Sequence, residues 1–129
     1  MKPARQVADY VRDILAYAEK AVRFVEEIPS PEVLREDERT LLAVVRALEV
    51  VGEAARQIPQ SFRKKHPEIP WRGMTGMRDK VIHAYFGVDV EVVWKTVHQD
   101  LPPLVDNMRR LLLEVEPGEG LMLPETSGD

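Results

Sequence analysis

The chain has 129 residues and no cysteine, with 44% hydrophobic residues, 31% charged residues and a formal net charge of −4. These values describe one ordinary globular domain, and the lack of cysteine excludes a disulfide framework and zinc bound through cysteine. No apolar run reaches the roughly 18 residues that span a bilayer, and the first residues lack the apolar core of a signal peptide, so we expect a cytoplasmic protein.

The first half of the chain predicts two long helices. Apolar residues recur at the three- and four-residue spacing of an amphipathic helix over residues 3–28. Ser30 is a typical N-cap and starts a short helical turn. A second long helix, over residues 37–58, has apolar residues on more than one stripe, so we expect it to be buried on two sides. Gly52 within it costs about 1 kcal/mol relative to alanine, which close packing of another helix or subunit would offset.

A stiff connector and a helix with many polar residues follow. Residues 59–70 contain three prolines and predict a connector with one short helical turn. The next helix, which we call the motif helix, is expected over residues 71–85, with a kink near Gly73 or Gly76. It ends at a break around Gly87.

Two further helices are predicted after this break. Asp89 is a typical N-cap for the first of them. Asp100 is expected to cap the second, with Pro102 and Pro103 in its first turn, where a missing amide proton matters least. This last helix should end near Val115.

Together these elements predict an all-α, up-and-down helical bundle of about four long helices plus short ones, with no strand. Residues 1–116 would form the domain. Residues 117–129, which are rich in small and polar side chains, would form a flexible C-terminal tail.

Positive charge is concentrated in the middle of this acidic chain. Residues 54–83 carry seven basic and two acidic side chains, a net charge of +5, so the remainder carries −9. Such an asymmetry indicates a candidate contact for nucleic acid. The run 63–65 also fits a solvated loop, so charge alone leaves both interpretations open. The basic side chains expected to make the contact are Arg63, Lys64, Lys65, Arg72 and Lys80.

A cluster of reactive side chains lies within eight positions of the motif helix: Arg78, Asp79, His83 and Tyr85. In a helix Asp79 and His83 would be i, i+4 partners, so a plain surface ion pair is one interpretation. Chemistry on a phosphodiester is the other, because a guanidinium binds phosphate and an imidazole titrates near neutral pH. The residues alone leave these two interpretations open.

The sequence offers little for other chemistries. Its three histidines, His66, His83 and His98, show no metal-ligand spacing, and there is no glycine-rich phosphate loop. The serines fit a cap, a connector and a tail rather than a catalytic triad. We therefore expect no metal site and no cofactor.

The motif helix resembles a known family. Its R-D-K-V-I-H segment matches the R-x4-H signature of the HEPN superfamily, and the extension to Tyr85 is similar to the R-x4-H-x-Y form of HepT-like toxins. The resemblance covers residues 5–115. Other segments in the family's order are V-G-E-A-A at 51–55, P-E-I-P-W at 67–71, G-M-R-D at 76–79, H-A-Y-F at 83–86, V-D at 88–89, V-W at 93–94 and D-L-P at 100–102.

This resemblance implies a homodimer of helical bundles and a metal-independent endoribonuclease whose two R-x4-H motifs meet in a cleft between the subunits. By position, Arg78 would hold the scissile phosphate and stabilise the transition state. His83 would act as general acid or base, and Asp79 would orient one of these two side chains. RNA brings its own 2′-hydroxyl nucleophile, so an imidazole and a fixed cation are sufficient.

The resemblance also implies regulation by a partner. HepT-like toxins belong to type II-like toxin–antitoxin modules, in which a minimal nucleotidyltransferase antitoxin adds AMP to a tyrosine that matches Tyr85. Added phosphate beside Arg78 would occupy the anion site and repel RNA. Two alternatives remain open: Tyr85 as an ordinary core tyrosine, and a non-catalytic HEPN partner that binds a nucleotidyltransferase and nucleotide or RNA without cutting it.

Overall fold

A computed structural model describes residues 5–83 and 87–115, which form an all-α protein with one very short strand pair. In chain order the elements are α1 Val7–Phe24, α2 Pro31–Glu36, α3 Glu38–Arg56, α4 Gln60–Lys64, α5 Trp71–Thr75, α6 Met77–Val81, β1 Ile82–His83, β2 Gly87–Val88, α7 Val90–Lys95 and α8 Leu101–Val115. The predicted start at Pro3, the residues around Tyr85 and the predicted tail at 117–129 lie outside the described residues.

The predicted N-cap Ser30 is confirmed, and Asp37 caps the helix that was predicted to begin near it. The Ser30 hydroxyl accepts a hydrogen bond from the Val33 amide at 3.3 Å, which starts α2. The Asp37 carboxylate accepts from the Thr40 amide at 3.1 Å and from the Thr40 hydroxyl at 2.8 Å, which starts α3. These bonds from Thr40 hold the pKa of Asp37 below its ordinary value, because they favour the charged carboxylate.

Helix α1 ends earlier than predicted, at Phe24 instead of residue 28. Beyond it the amide of Glu26 donates to the carbonyl of Arg23, and the amide of Ile28 donates to that of Val25. These three-residue bonds tighten the chain into a turn before Pro29, whose ring disfavours helical geometry in the preceding residue.

Helices α1, α3 and α8 enclose the hydrophobic core. Tyr10 of α1 shares a surface groove with Gln57, just after α3, so these two helices run antiparallel. Arg109 of α8 pairs with Glu19 of α1. The described part of the chain thus has three long helices rather than about four. The largest fully buried side chains are Ile14, Leu34, Leu48, Ile58, Met74, Leu101, Met108 and Leu111.

The close packing predicted at Gly52 is confirmed, and it occurs within one chain. A Cβ placed on Gly52 would lie 3.1 Å from the backbone carbonyl oxygen of Met74 in α5. The absent side chain thus lets α5 approach α3 directly. Of the two partners expected there, another helix or a subunit, the structure shows the helix α5 against Gly52.

We expect Gly52→Ala to lower the free energy of unfolding by about 1–2 kcal/mol, because the added methyl must push α5 away from α3. Gly73→Ala is the matched control, since its Cβ would meet nothing closer than Pro70 Cβ at 3.8 Å. That change should leave stability equal or raise it by up to about 1 kcal/mol. Urea unfolding measures both variants, and equal stability of the two would contradict the packing argument.

In residues 71–83, which we call the motif segment, the predicted kink at Gly76 is present, but the helix ends at Val81, so the predicted continuation as a helix through His83 is wrong. Helix α5 ends at Thr75, Gly76 interrupts the helix with φ −91° and ψ 3°, and α6 ends at Val81. Ile82 is then extended, with φ −119° and ψ 123°. Strand β1 pairs antiparallel with β2, which corrects the prediction of no strand.

The last two predicted helices form one continuous helical segment. Asp89 caps α7 as predicted, accepting from the Val92 amide at 3.2 Å. Residues 96–100 form a π-helical turn in which the Leu101 amide donates to the Thr96 carbonyl, and α8 follows directly. Asp100 is therefore not an N-cap, since this wider turn leads into Pro102 without ending the helix.

Within the described residues, no helix combines the length and the apolar character needed to cross a membrane.

Candidate active site

Helix α6 presents three consecutive charged residues to solvent. Met77 and Val81 are buried at i, i+4 spacing and fix this helix to the core. Arg78, Asp79 and Lys80 between them are exposed. Because successive helical residues are rotated by about 100°, these side chains leave α6 in different directions.

Arg78 points toward α3. Its Nε donates to Oε2 of Glu49 at 3.2 Å, and its Nη1 lies 3.8 Å from Oδ1 of Asp79. Arg46, one turn before Glu49 on α3, places its Nη1 3.7 Å from the other oxygen of that carboxylate. Glu49 thus lies between two guanidinium groups, one from each helix.

A second contact between α3 and the motif segment lies beside the first. Arg56 pairs with Glu53 at 3.4 Å and donates from Nη2 to the carbonyl oxygen of Thr75 at 3.3 Å. Thr75 is the last residue of α5. Two arginine contacts therefore join α3 to the segment on both sides of Gly76.

His83 does not share a helix with Arg78, because α6 ends at Val81. Its backbone pairs with Gly87 in the short ladder, so the predicted helical i, i+4 relation between Asp79 and His83 is wrong. Gly87 has φ +77°, a conformation that favours glycine. The side chain of His83 and all of Tyr85 lie outside the described part, so their predicted roles stay predictions.

Lys80 lies on the other side of α6 from Arg78. Its Nζ is 3.3 Å from Oδ2 of Asp100, in the π-helical turn between α7 and α8. A surface groove beside this pair is lined by Met74, Met77 and other residues. The structure therefore separates Lys80 from the face of α6 that carries Arg78.

The other basic residues predicted to bind nucleic acid surround α4 and α5. Lys64, Arg72 and the side chain of Arg63 line one polar surface groove there, and Lys64, Lys65 and Arg72 are each at least partly exposed. Trp71, the first residue of α5, contacts the chain that follows α4: its Nε1 donates to the carbonyl oxygen of His66 at 3.0 Å.

Arg63 donates hydrogen bonds to backbone carbonyl groups of the same chain. Its Nε donates to the carbonyl oxygen of Ile58 at 3.0 Å, and its Nη2 donates to those of Ala55 and Arg56 at 2.9 and 3.2 Å. Ala55 and Arg56 lie in the last turn of α3 and Ile58 just beyond it, where the last carbonyl groups of a helix lack part of their usual amide partners. Arg63 therefore caps α3 from α4.

We expect Arg63→Ala to lower the free energy of unfolding by about 1–2 kcal/mol, because three carbonyl groups lose their donor. Lys64→Ala is the neighbouring control. It should change stability by less than about 0.5 kcal/mol while weakening RNA binding and flattening its salt dependence. Thermal melting measures the effect on stability, and a salt titration measures the effect on RNA binding. A larger loss of stability in Lys64→Ala than in Arg63→Ala would refute the prediction.

The structure adds Glu49 and Arg46 to the residues predicted from sequence. The signal in the sequence was faint: Glu49 and Glu53 share one face of α3, but nothing in the chain order points from there to Arg78, 29 residues on. No group of three or more metal-binding side chains occurs within residues 5–83 and 87–115.

The comparisons with known proteins agree on one family. The family model described as Ribonuclease HepT-like matches residues 14–111. A protein named Probable ribonuclease HepT from Thermococcus cleftensis is 50% identical over 107 residues, which cover 83% of this chain and 96% of that protein. No solved structure gives a significant match.

More distant relatives extend this comparison. A candidate RNase of Methanocaldococcus jannaschii is 36% identical over 114 residues, covering 88% of this chain and 97% of that protein. Another, from Caldanaerobacter subterraneus subsp. tengcongensis, is 37% identical over 103 residues, covering 80% of this chain and 91% of that protein.

Proposed function

Because this chain belongs to the HepT-like ribonuclease family of the HEPN superfamily, we propose that it is a metal-independent endoribonuclease toxin. The observation that carries the proposal is the placement of Arg78. Arg78 lies on α6, five residues before His83. Its side chain is about half exposed, and its guanidinium is held from the side by Glu49. A fixed, accessible guanidinium suits binding of a phosphodiester.

The proposed reaction uses the 2′-hydroxyl of RNA as the nucleophile. The 2′-oxygen attacks phosphorus and loses its proton, the bond from phosphorus to the 5′-oxygen breaks, and that oxygen takes up a proton. His83 is the proposed general acid or base, Arg78 stabilises the charge on the phosphoryl oxygens, and Asp79 orients one of the two. The products are a 2′,3′-cyclic phosphate and a 5′-hydroxyl.

A pair of subunits is proposed to build the working site. One chain supplies one Arg78 and one His83, whereas attack and departure each need a proton transfer. Two motifs facing each other across a dimer cleft would provide a second histidine. Sedimentation showing only monomer at micromolar concentration would count against this arrangement.

Binding of RNA to an acidic chain is proposed to rely on its basic middle region. Lys64, Lys65 and Arg72 around α4 and α5 extend the positive charge beyond Arg78, and a dimer would pool two such regions. Neutralised phosphates release counterions, so binding should weaken steeply as salt rises. Arg63 and Lys80 stay in the proposed set, although each also has a partner within the chain.

Regulation is proposed to act at Tyr85. A minimal nucleotidyltransferase antitoxin would transfer AMP from ATP to its hydroxyl oxygen, releasing pyrophosphate and the hydroxyl proton. The added phosphate would compete with RNA for Arg78. Mass spectrometry after incubation with ATP and such a transferase tests this, with Tyr85→Phe as the control. An adduct that persists in Tyr85→Phe would place the modification elsewhere.

The test of the activity is incubation of purified protein with a labelled single-stranded RNA in the presence of EDTA. We expect cleavage that leaves 2′,3′-cyclic phosphate ends. A substrate with a 2′-deoxy sugar at the cleaved position should resist. Intact RNA under all conditions would overturn the proposed activity, whereas cleavage of the deoxy substrate would overturn the mechanism.

The second candidate is a non-catalytic HEPN partner that binds a nucleotidyltransferase and nucleotide or RNA. The observation in its favour is the double pairing of Arg78 with Glu49 and Asp79, which offsets part of its charge. RNA binding of equal strength in the unaltered protein, His83→Ala and Arg78→Ala, without cleavage in any of them, would support this candidate.

A further inference from the structure

We propose that Glu49 is a positioning residue for Arg78, which it orients so that the outer edge of the guanidinium faces the RNA phosphate. This inference rests on the proposed ribonuclease activity and adds to it a residue from α3, outside the R-x4-H segment. The pairing of Glu49 with Arg78 is its starting point.

The first argument is the atom that Glu49 occupies. The bond at 3.2 Å uses Nε of Arg78, which is the inner nitrogen of the guanidinium. Within the described part of the chain, the two Nη atoms make no hydrogen bond, because the Asp79 carboxylate lies 3.8 Å from Nη1. Glu49 therefore does not take up the outer edge that binds a phosphate in two-pronged fashion. The carboxylate near that edge, Asp79, is 73% exposed and makes no hydrogen bond to it.

The second argument is charge. Glu49 lies between Arg78 and Arg46, 3.2 and 3.7 Å from their nearest nitrogens. Glu49 shares its single charge between two guanidinium groups, so by itself it does not fully neutralise Arg78. The Asp79 carboxylate, 3.8 Å from Nη1 and 73% exposed, adds a second pairing that solvent screens. A carboxylate that served to block the phosphate site would instead be expected to pair with the outer edge.

The third argument is rigidity. The Glu49 side chain is 21% exposed, against 53% for Arg78, so the carboxylate is the better buried of the pair. It extends from α3 one turn before Gly52, where a Cβ would lie only 3.1 Å from the backbone carbonyl oxygen of Met74 in α5. A fixed carboxylate removes rotamer freedom from a long side chain before substrate arrives, which lowers the cost of reaching the transition state.

The test compares Glu49→Ala, Glu49→Gln and Arg78→Ala in cleavage of a labelled single-stranded RNA. We expect Glu49→Ala to lower kcat by about 100-fold with little change in KM, since misplacement of a catalytic group by about 1 Å has an effect of that size. Glu49→Gln should recover most of the activity, because its amide oxygen still accepts from Nε. The Glu49→Ala, Arg78→Ala double variant should be no slower than Arg78→Ala alone.

The matched control is Glu53→Ala, one turn further along the same face of α3. Glu53 pairs with Arg56 at 3.4 Å and has no described contact with Arg78. This variant should cleave RNA at nearly the rate of the unaltered protein. Melting temperatures of all variants check that the helices stay folded, and Glu49→Gln provides the comparison if Glu49→Ala is unstable.

Several results would overturn the inference alone. Glu49→Ala could cleave RNA at the full rate, or faster, which would mark Glu49 as a competitor of phosphate. Glu49→Gln could lose as much activity as Glu49→Ala. In the double variant, the losses of the two single variants could multiply. An unaltered protein that leaves RNA intact would overturn the proposed function and this inference together.

Discussion

His83→Ala is expected to reduce the rate of RNA cleavage by about 10³-fold, within the range of about 10²–10⁴ that positioned acid–base groups contribute. The physical reason is that the 2′-hydroxyl must lose a proton and the leaving oxygen must gain one, and water does both poorly at neutral pH. The measurement is single-turnover cleavage of a labelled RNA, with binding measured separately. Binding itself should change little.

His98→Ala is the control for this prediction. Its Nδ1 lies 2.9 Å from the carbonyl oxygen of Trp94, and its ring stacks on the indole at 4.0 Å between centroids. It is thus a histidine with a structural partner in the same chain. Equal losses in His83→Ala and His98→Ala would indicate a general effect on folding instead of a catalytic one.

Arg78→Ala is expected to reduce cleavage by about 10²–10³-fold, as does removal of one donor to an oxyanion in other enzymes. Arg78→Lys should recover only part of the activity, because an ammonium keeps the charge but lacks the planar fork that binds two phosphoryl oxygens. The ratio of kcat/KM for the two variants measures how much of the effect comes from geometry and how much from charge.

Arg35→Ala is the control for Arg78, because Arg35 is also a half-exposed arginine in a helix-to-helix ion pair, with Glu91 at 3.3 Å. Exposed pairs of this kind contribute about 0–1 kcal/mol to stability. Both alanine variants should therefore stay folded, and only Arg78→Ala should lose cleavage. Comparable activity in the two would remove Arg78 from the proposed mechanism.

The two arguments for activity have different origins. The assignment to a ribonuclease family follows from the sequence, since the ordered motifs and the relatives cover most of the chain. The role of Glu49 follows from contacts between α3 and α6. The Glu49 variants and the variants of Arg78 and His83 therefore test separate claims with the same assay.

Features that depend on neighbouring residues could be predicted without the structure. The Ser30 cap, the start of a long helix near Asp37, the apolar spacing of the long helices and the close approach at Gly52 were all predicted and are present. Each depends on side chains within a turn or two, or on the small size of one residue. The family motif needs no structure either, because it is a pattern of residue types.

The shape of the motif segment depends on tertiary contacts. Helical spacing predicted a helix over residues 71–85 with a kink near Gly73 or Gly76, and Gly76 does interrupt it. Pairing between Ile82 and Val88, however, draws the chain out of the helix before His83. A strand pair joins residues that are apart in sequence, so the local pattern could not reveal it.

The same reason explains the partner of Arg78. Glu49 lies 29 residues earlier, on a helix whose orientation is set by packing against α1 and α5. Sequence reasoning offered Asp79 and His83 as neighbours within one helix, whereas packing supplied a carboxylate from another helix. The sequence thus determined which residues are available for chemistry, and the contact of α3 with α6 decided which of them holds the arginine.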